Sequence, residues 1–412
     1  MLAVFIFKSN ARGMQYGMGT YIRELTQALL QNTQLKIYLV SYHNAECNEY
    51  EIDEVSTNYV KINIPSPRQS AINYEDFNKR YAKGIMFFLT PFINMNVKVI
   101  FHFNSIDAVP LMKILKEKYK YPIITVAHYA QWQLLFDGNK KKLENINLEE
   151  PKTSQDKALV HDRELYELSD HIITVTQYMK RFLVETYKID KGKITVVSNG
   201  VNPPEVKELT EHQKTEIKKV WGFEADDKII LFTGRVEAAK WVYFLLDAFT
   251  EACKEQPNLH LVFAGNGEIP SALKKIKSYQ GRVLFTEFIS KEKIKELYAI
   301  ADMGVLPTLY DQCPYTVLEM MMYKLPLILS NIPGINEIYN DKLCLFIKPI
   351  IDEKGDISFS TKEIKEMILK LYKNKKQAIK LGEIAYKALS NKLSSTKMAK
   401  QMFDIYMVLC IN

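Results

Sequence analysis

Asp311 and Glu319 are carboxylates separated by seven residues, in the segment Asp311-Gln312-Cys313-Pro314-Tyr315-Thr316-Val317-Leu318-Glu319. An apolar run, Met303–Leu306, precedes it. Its second half has helical spacing, with Val317, Met321 and Leu325 on one face. Pro314 suits the first turn of such a helix. Asp311 then lies in the loop at the positive end of the helix and Glu319 about one turn in, where both can accept hydrogen bonds from sugar or ribose hydroxyls. The plain alternative is a helix cap and a solvated helix residue.

Three further groups have the same character. Gly234 and Arg235 follow the apolar run Ile229–Thr233, with Lys240 five residues after Arg235. Arginine offers phosphate oxygens a fork and lysine a movable point charge, and ligands of open α/β sheets bind at the carboxyl ends of strands. Two solvated cations, with Trp241 as packing, would look the same. Gly265 and Gly267 stand in Ala264-Gly265-Asn266-Gly267-Glu268 after Leu259–Phe263, a strand-end loop or an ordinary turn. Gly17-Met18-Gly19 opens a helix after the first apolar run; glycines allow close backbone approach, and a helix N-terminus offers N–H groups to a phosphate. It does not continue as GxGxxG, which excludes a dinucleotide fingerprint and leaves a ligand-free turn as the alternative. His128 directly follows Ile123–Ala127, a titratable group at a strand end, against the alternative of a structural histidine.

Alternating apolar runs and amphipathic stretches must position these groups, and that rhythm predicts parallel strands joined by helices. Strands are expected at Leu2–Phe7, Lys36–Ser41, Val97–Phe103, Ile123–Ala127, His171–Val175 and Ile194–Val197. The rhythm restarts at Ile229–Thr233 and continues with Leu259–Ala264, Val283–Phe285, Met303–Leu306, Leu325–Leu329 and Leu343–Ile347. Helices are expected over Thr20–Leu30, Trp241–Cys253 and Thr316–Tyr323, after a Ser360/Glu363 capping box, and from Ser395 to Leu409. A polar stretch from Gly200 to Trp221, with Pro203 and Pro204, reads as a linker running into a helix. The expected domains are 1–203, 204–393 and a final helix, 394–412, crossing back to the first.

The bulk properties agree with a globular protein of two or three domains: 412 residues, 47% hydrophobic and 25% charged. The net charge of +7 is spread along the chain, so no nucleic-acid stripe stands out. Lys140–Lys142 and Lys373–Lys376 read as solvated loops or helix ends. Five scattered cysteines without CxxC spacing point to a reducing compartment. The opening Met1–Phe7 is short for a signal sequence and reads as a buried strand. No apolar run of membrane-spanning length occurs. The aromatic, basic stretch Lys79–Pro122 is a candidate for membrane contact, with a buried helix and solvated lysines as the alternative.

In order and spacing, these motifs resemble the retaining glycosyltransferases of family 4. Asn199-Gly200-Val201-Asn202 is similar to that family's exit from the first domain, Gly234-Arg235 with Lys240 to its GR…K motif, and Asp311 to Glu319 to its E-x7-E element. Ser330-Asn-Ile-Pro-Gly334-Ile-Asn-Glu337 is similar to its next strand exit, Gly17–Gly19 to its glycine loop, and His128 to its strand-end histidine. The resemblance implies the GT-B architecture: α/β, two Rossmann-like domains with parallel sheets facing a central cleft. It implies that Arg235 and Lys240 hold the donor diphosphate, Glu319 the ribose, Asp311 sugar hydroxyls, and Cys313, Pro314, Tyr315 and Thr316 the donor through the helix start. Gly234, Gly265 and Gly267 would line the donor, Gly17 and Gly19 would lie near the diphosphate and acceptor, and His128 would stand beside the reacting sugar.

The expectation is a cytoplasmic enzyme, in reach of the inner membrane face, with a UDP- or GDP-linked sugar as substrate and no cofactor. No Asp-x-Asp spacing is present, so no metal is expected. A saccharide or lipid-linked glycan is the expected acceptor, with a peptide or protein side chain as runner-up; no nucleic acid is expected as partner. Asp311 replaces the family's usual Glu, and Gln312 and Cys313 also depart from its pattern. These departures leave a changed donor, or a non-catalytic nucleotide-sugar-binding subunit, as open readings.

Overall fold

Continuous apolar runs become parallel strands when both faces of a sheet are covered by helices. In the computed structural model, which describes residues 1–9, 17–66, 74–93, 96–203 and 209–411, the first half forms β1 (Leu2–Ser9), β2 (Leu35–Asn44), β3 (Glu51–Ser56), β4 (Tyr59–Pro65), β5 (Lys98–Phe103), β6 (Ile123–Ala127), β7 (His171–Thr174) and β8 (Ile194–Val196). They lie in the order β3-β4-β2-β1-β5-β6-β7-β8, and all neighbours are parallel except the β3–β4 pair. The core of this sheet is aromatic, with the Phe7 and Phe103 rings stacked at 4.3 Å.

The second half forms β9 (Lys228–Thr233), β10 (Leu259–Ala264), β11 (Val283–Phe285), β12 (Met303–Leu306), β13 (Leu327–Ser330) and β14 (Leu345–Ile347), parallel in the order β11-β10-β9-β12-β13-β14, with a separate hairpin of β15 (Pro349–Ile351) and β16 (Ile357–Phe359). Chain order reverses at β1, between β2 and β5, and at β9, between β10 and β12. Open α/β sheets bind ligands at such switch points, outside the carboxyl ends of the strands.

The chain divides into two units: Met1–Gln131 with Ile146–Gly200 and Ser395–Asn412, and Trp132–Asn145 with Val201–Ser394. The divisions at 200/201 and 394/395 stand a few residues from the expected 203/204 and 393/394; Pro204 lies outside the described residues. Residues 132–145, expected in the first domain, belong to the second unit. The side chain of Asn139 donates to Asp356 at 2.7 Å and to the Lys354 carbonyl at 3.1 Å. Lys141 reaches the Glu353 carbonyl at 2.6 Å and Lys142 pairs with Asp356 at 3.2 Å, so Lys140–Lys142 is not merely solvated. The final helix, Ser395–Leu409, packs in the first unit against the helix Gly17–Leu29, and its buried Tyr406 hydroxyl meets His102 Nδ1 at 2.6 Å. The Ser360 cap forms only half of a capping box: Ser360 accepts from the Glu363 N–H at 3.3 Å, while the Glu363 carboxylate turns to the Lys348 N–H at 3.2 Å.

Candidate functional site

At the carboxyl end of β9 the chain carries Gly234, Arg235 and Lys240, and at the carboxyl end of β12, the other side of the switch point, it carries Thr308 and Asp311. Lys240 joins the two loops: its Nζ donates to Asp311 Oδ2 at 2.9 Å and to Thr308 Oγ1 at 3.2 Å. The pair is mostly sheltered, with side-chain exposures of 13% and 25%. Lys240 ends a short turn, Ala238–Lys240, closed by Trp241 at φ 53°. A bulky residue rarely takes that conformation and persists there only when its surroundings hold it. The buried indole supplies the hold, stacking on Phe244 at 3.9 Å and meeting Phe359 edge-on at 5.0 Å. Trp241 is therefore packing, directly after Lys240 in the chain.

Arg235 lies beside Glu237 at 3.1 Å and is 46% exposed. Glu237 is the more sheltered partner, at 24%. Gly265 and Gly267 stand in the expected strand-end loop, where another backbone approaches closely. A Cβ on Gly265 would stand 2.1 Å from the Gly234 oxygen, and one on Gly267 2.1 Å from the Val236 oxygen. The two loops are zipped backbone to backbone, with Val236 donating to the Asn266 carbonyl at 2.9 Å and Gly234 to that of Ala264 at 3.0 Å.

The second carboxylate is positioned from beneath. Glu319, partly exposed on the helix Tyr315–Met322, accepts the buried Tyr298 hydroxyl at 2.7 Å; that hydroxyl also lies 3.2 Å from Thr233 Oγ1 at the end of β9. Burial and the Glu319 charge raise the Tyr298 pKa well above its ordinary value, so it stays a donor. Pro314 is the N-cap of that helix, one position before the expected first turn, so Asp311 does not cap it. Asp311 Oδ1 accepts the Gln312 N–H at 2.8 Å instead. Val317, Met321 and Leu325 face inward as expected. Cys313 and Tyr315 are buried while Thr316 is partly exposed, and the buried Gln312 donates to Gln133 at 2.9 Å.

The other expected site residues belong to the first unit. Gly17 and Gly19 open the helix Gly17–Leu29; the loop before them, residues 10–16, lies outside the described residues. One turn on, Tyr21 meets the His128 ring edge-on at 4.5 Å. His128 Nε2 is 3.1 Å from Asn104 Oδ1, and the Asn104 amide donates to the Phe7 carbonyl at 3.2 Å. Burial, helped by the neighbouring His102, lowers the His128 pKa to about 3, so the ring is a neutral hydrogen-bonding group at physiological pH. Sequence reasoning passed over Thr308, Asn104 and Tyr298. Thr308 and Asn104 carry the signal that picked out His128, a polar residue just beyond a strand. Tyr298 carries none, being one buried aromatic among many. Among the described residues, no group of three or more His, Cys, Asp or Glu side chains is placed to hold a metal ion.

Residues 16–205 match the family described as Glycosyltransferase Family 4, and residues 213–388 match Glycosyl transferases group 1. An uncharacterized glycosyltransferase of Methanocaldococcus jannaschii is 31% identical over 192 residues, covering 45% of this chain and 49% of that protein, so the match spans about half the relative's length. The processive diacylglycerol alpha-glucosyltransferase of Acholeplasma laidlawii is 25% identical over 62% of this chain and 72% of its own. Among solved structures, sucrose-phosphate synthase from Thermosynechococcus elongatus superposes with a TM-score of 0.76 at 15% identity, over 99% of both chains. Anabaena HepE in complex with UDP-glucose does so with a TM-score of 0.73 at 12% identity, over 99% of this chain and 100% of its own. Two parallel-sheet α/β units, a cationic switch point and matches across both units carry one conclusion: the chain belongs to the family 4 glycosyltransferases, of GT-B fold.

Proposed function

We propose that this chain moves a hexosyl group from a nucleoside-diphosphate sugar to a hydroxyl of a saccharide or lipid-linked glycan, with retention at the anomeric carbon and without a metal ion. The observation that carries this is Lys240, held across the β9–β12 switch point by Asp311 and Thr308, with Arg235 beside it. Those two cations take the diphosphate, doing for the leaving group what a divalent ion does elsewhere. Glu319, oriented by Tyr298, accepts the ribose hydroxyls. Asp311 fixes Lys240 and keeps lone pairs for a sugar hydroxyl. UDP is the favoured nucleotide, since HepE of like fold is described with UDP-glucose. The lipid-linked option rests on the Acholeplasma laidlawii relative.

In the reaction, the bond from the anomeric carbon to the phosphate oxygen breaks while the acceptor oxygen bonds to the same face. The acceptor's proton passes to the departing phosphate. Fixed cations facing the developing charge supply the stabilisation, at roughly 3–4 kcal/mol for a donor of this kind. The first unit takes the acceptor, with neutral His128 as its polar group nearest the reacting hydroxyl. Five scattered cysteines without CxxC spacing favour the cytoplasm as the place of action. The test is transfer from UDP-glucose to saccharide and diacylglycerol acceptors, with the product's anomeric configuration read by NMR. An α-linked product formed equally well in EDTA supports the proposal. A β-linked product refutes retention, and abolition by EDTA refutes metal independence.

A further inference from the structure

β1, β5 and β6 lie side by side. The β1–β5 ladder ends at Ile6 opposite His102, and the β5–β6 ladder at Phe103 opposite Thr125. The Phe7 carbonyl is thus beyond the first pairing and the His128 ring beyond the second, with Asn104 between them at the end of β5. The Asn104 side chain is buried, only 2% of the residue being exposed. A buried amide has to place both of its ends against partners.

An asparagine can turn either end to a neighbour, so the neighbours decide which end goes where. A backbone carbonyl only accepts, so the Asn104 NH₂ faces Phe7, at 3.2 Å. That leaves Oδ1, which also only accepts, facing His128 Nε2 at 3.1 Å. The hydrogen of the contact must therefore sit on Nε2. A neutral imidazole donates through one nitrogen and accepts through the other, and the partner of one fixes the role of the second. Burial and the neighbouring His102 keep this ring neutral at physiological pH. Nδ1 then carries a lone pair and no hydrogen. Among the described residues the ring makes no other hydrogen bond, and the residue keeps part of its surface exposed. The edge-on Tyr21 ring, at 4.5 Å, packs the imidazole in place.

An acceptor at this point discriminates between ligand groups. Phosphate, carboxylate and carbonyl oxygens bring no hydrogen and meet the lone pair unfavourably, whereas a hydroxyl brings one. With its pKa lowered to about 3, the ring is too weak a base to keep that proton, so it orients the hydroxyl and leaves the proton to pass elsewhere. The geometry points to Asn104 as a positioning residue that locks His128 in its Nε2–H form, so that Nδ1 meets the ligand as an acceptor and selects a sugar hydroxyl. The sugar in question rests on the glycosyl transfer proposed above; the lock itself does not.

The test uses the full-length protein with ¹⁵N-labelled histidine rings, read by long-range ¹H–¹⁵N NMR, which separates a protonated ring nitrogen from a bare one. The His128 signals are assigned by their loss in His128→Gln. In the wild type, Nε2 is expected at the protonated position and Nδ1 at the bare one. Asn104→Ala is expected to draw both toward intermediate positions as the tautomers exchange, and Asn104→Asp, which keeps an acceptor for Nε2–H, to restore the split. A wild-type ring with its hydrogen on Nδ1, or a split that survives in folded Asn104→Ala, would overturn the lock. Titration with UDP, UDP-glucose and maltose then reads the ligand group. Saturable movement of Nδ1 with UDP-glucose but not UDP places the hydroxyl on the transferred sugar, and movement with maltose places it on the acceptor. Asn104→Ala is expected to weaken the sugar that moves Nδ1 roughly fivefold, the loss of about one hydrogen bond, with UDP affinity unchanged. If no sugar moves Nδ1 while UDP-glucose still raises the melting temperature, the selection of a hydroxyl is wrong and the transfer reading stands. If UDP-glucose does not raise it either, both fail.

Discussion

Removing one hydroxyl, in Tyr298→Phe, separates the positioning of Glu319 from every other feature of the donor site. The ring is buried and stacks on Tyr323 at 5.3 Å, so phenylalanine fills the same space. What disappears is the 2.7 Å donor to Glu319 and the weaker contact at 3.2 Å to Thr233. A hydrogen bond to a charged group contributes about 1.5–3 kcal/mol. Glu319 is partly exposed and water replaces some of that, which puts the loss near ~1 kcal/mol, or about fivefold in affinity for a ligand that Glu319 holds. Calorimetry with UDP is expected to show a Kd raised about fivefold, with kcat at saturating donor close to that of the wild type. Glu319→Gln is expected to weaken UDP at least as much, and adding Tyr298→Phe to it little further, because the hydroxyl acts through the carboxylate. An unchanged UDP affinity in a folded Tyr298→Phe protein would refute the positioning role, and a fall in kcat alone would assign the tyrosine to chemistry instead.

Other consequences are open to simpler assays. Gly267→Ala places a methyl where a Cβ stands 2.1 Å from the Val236 oxygen, and thermal melting is expected to show a loss on the order of 3 kcal/mol. Tyr406→Phe leaves buried His102 without its 2.6 Å partner; a loss of about 1–3 kcal/mol and of several degrees in Tm is expected, and no change would mean that the contact does not anchor the final helix. Asp162 is buried with its carboxyl pushed up to about 7 and accepts the Tyr187 hydroxyl at 2.7 Å. The folded state therefore keeps a proton that the unfolded chain releases above the ordinary carboxylate range. Its contribution is complete at acid pH and is lost as pH rises through about 7. Asp162→Asn, which retains an acceptor, is expected to gain stability relative to the wild type between pH 5 and 8, measured by denaturant titration; a pH-independent difference would contradict the raised value.

Where apolar runs are continuous, the sequence revealed the fold to within a few residues: Ile123–Ala127 and Leu259–Ala264 match β6 and β10 to the residue. β3 escaped because every one of its residues is exposed, so nothing in its pattern of polarity marks a strand; β4 was legible, with Val60, Ile62 and Ile64 alternating inward, and was passed over. Residues 132–145 were misassigned for a related reason. Their anchor, Asp356, lies more than two hundred positions away, and no local pattern records such a partner. Within the site, glycines and charges at strand ends were legible because sheet topology fixes where strand ends gather. The Lys240–Asp311 pair was not, since its two residues come from loops 71 positions apart in the chain and meet only across the switch point. The same holds for Tyr298, whose hydroxyl finds Glu319 only through tertiary packing.

Calorimetric comparison of UDP with uridine, in the wild type and in Arg235→Met/Lys240→Met, addresses the cationic grip on the diphosphate without any acceptor. The wild type is expected to bind UDP at least a hundredfold more tightly than uridine, about 2.8 kcal/mol for two charge-assisted contacts; the double variant should bind the two ligands alike, with uridine affinity unchanged. A double variant that stays folded and still prefers UDP by the wild-type margin would show that the diphosphate is held elsewhere.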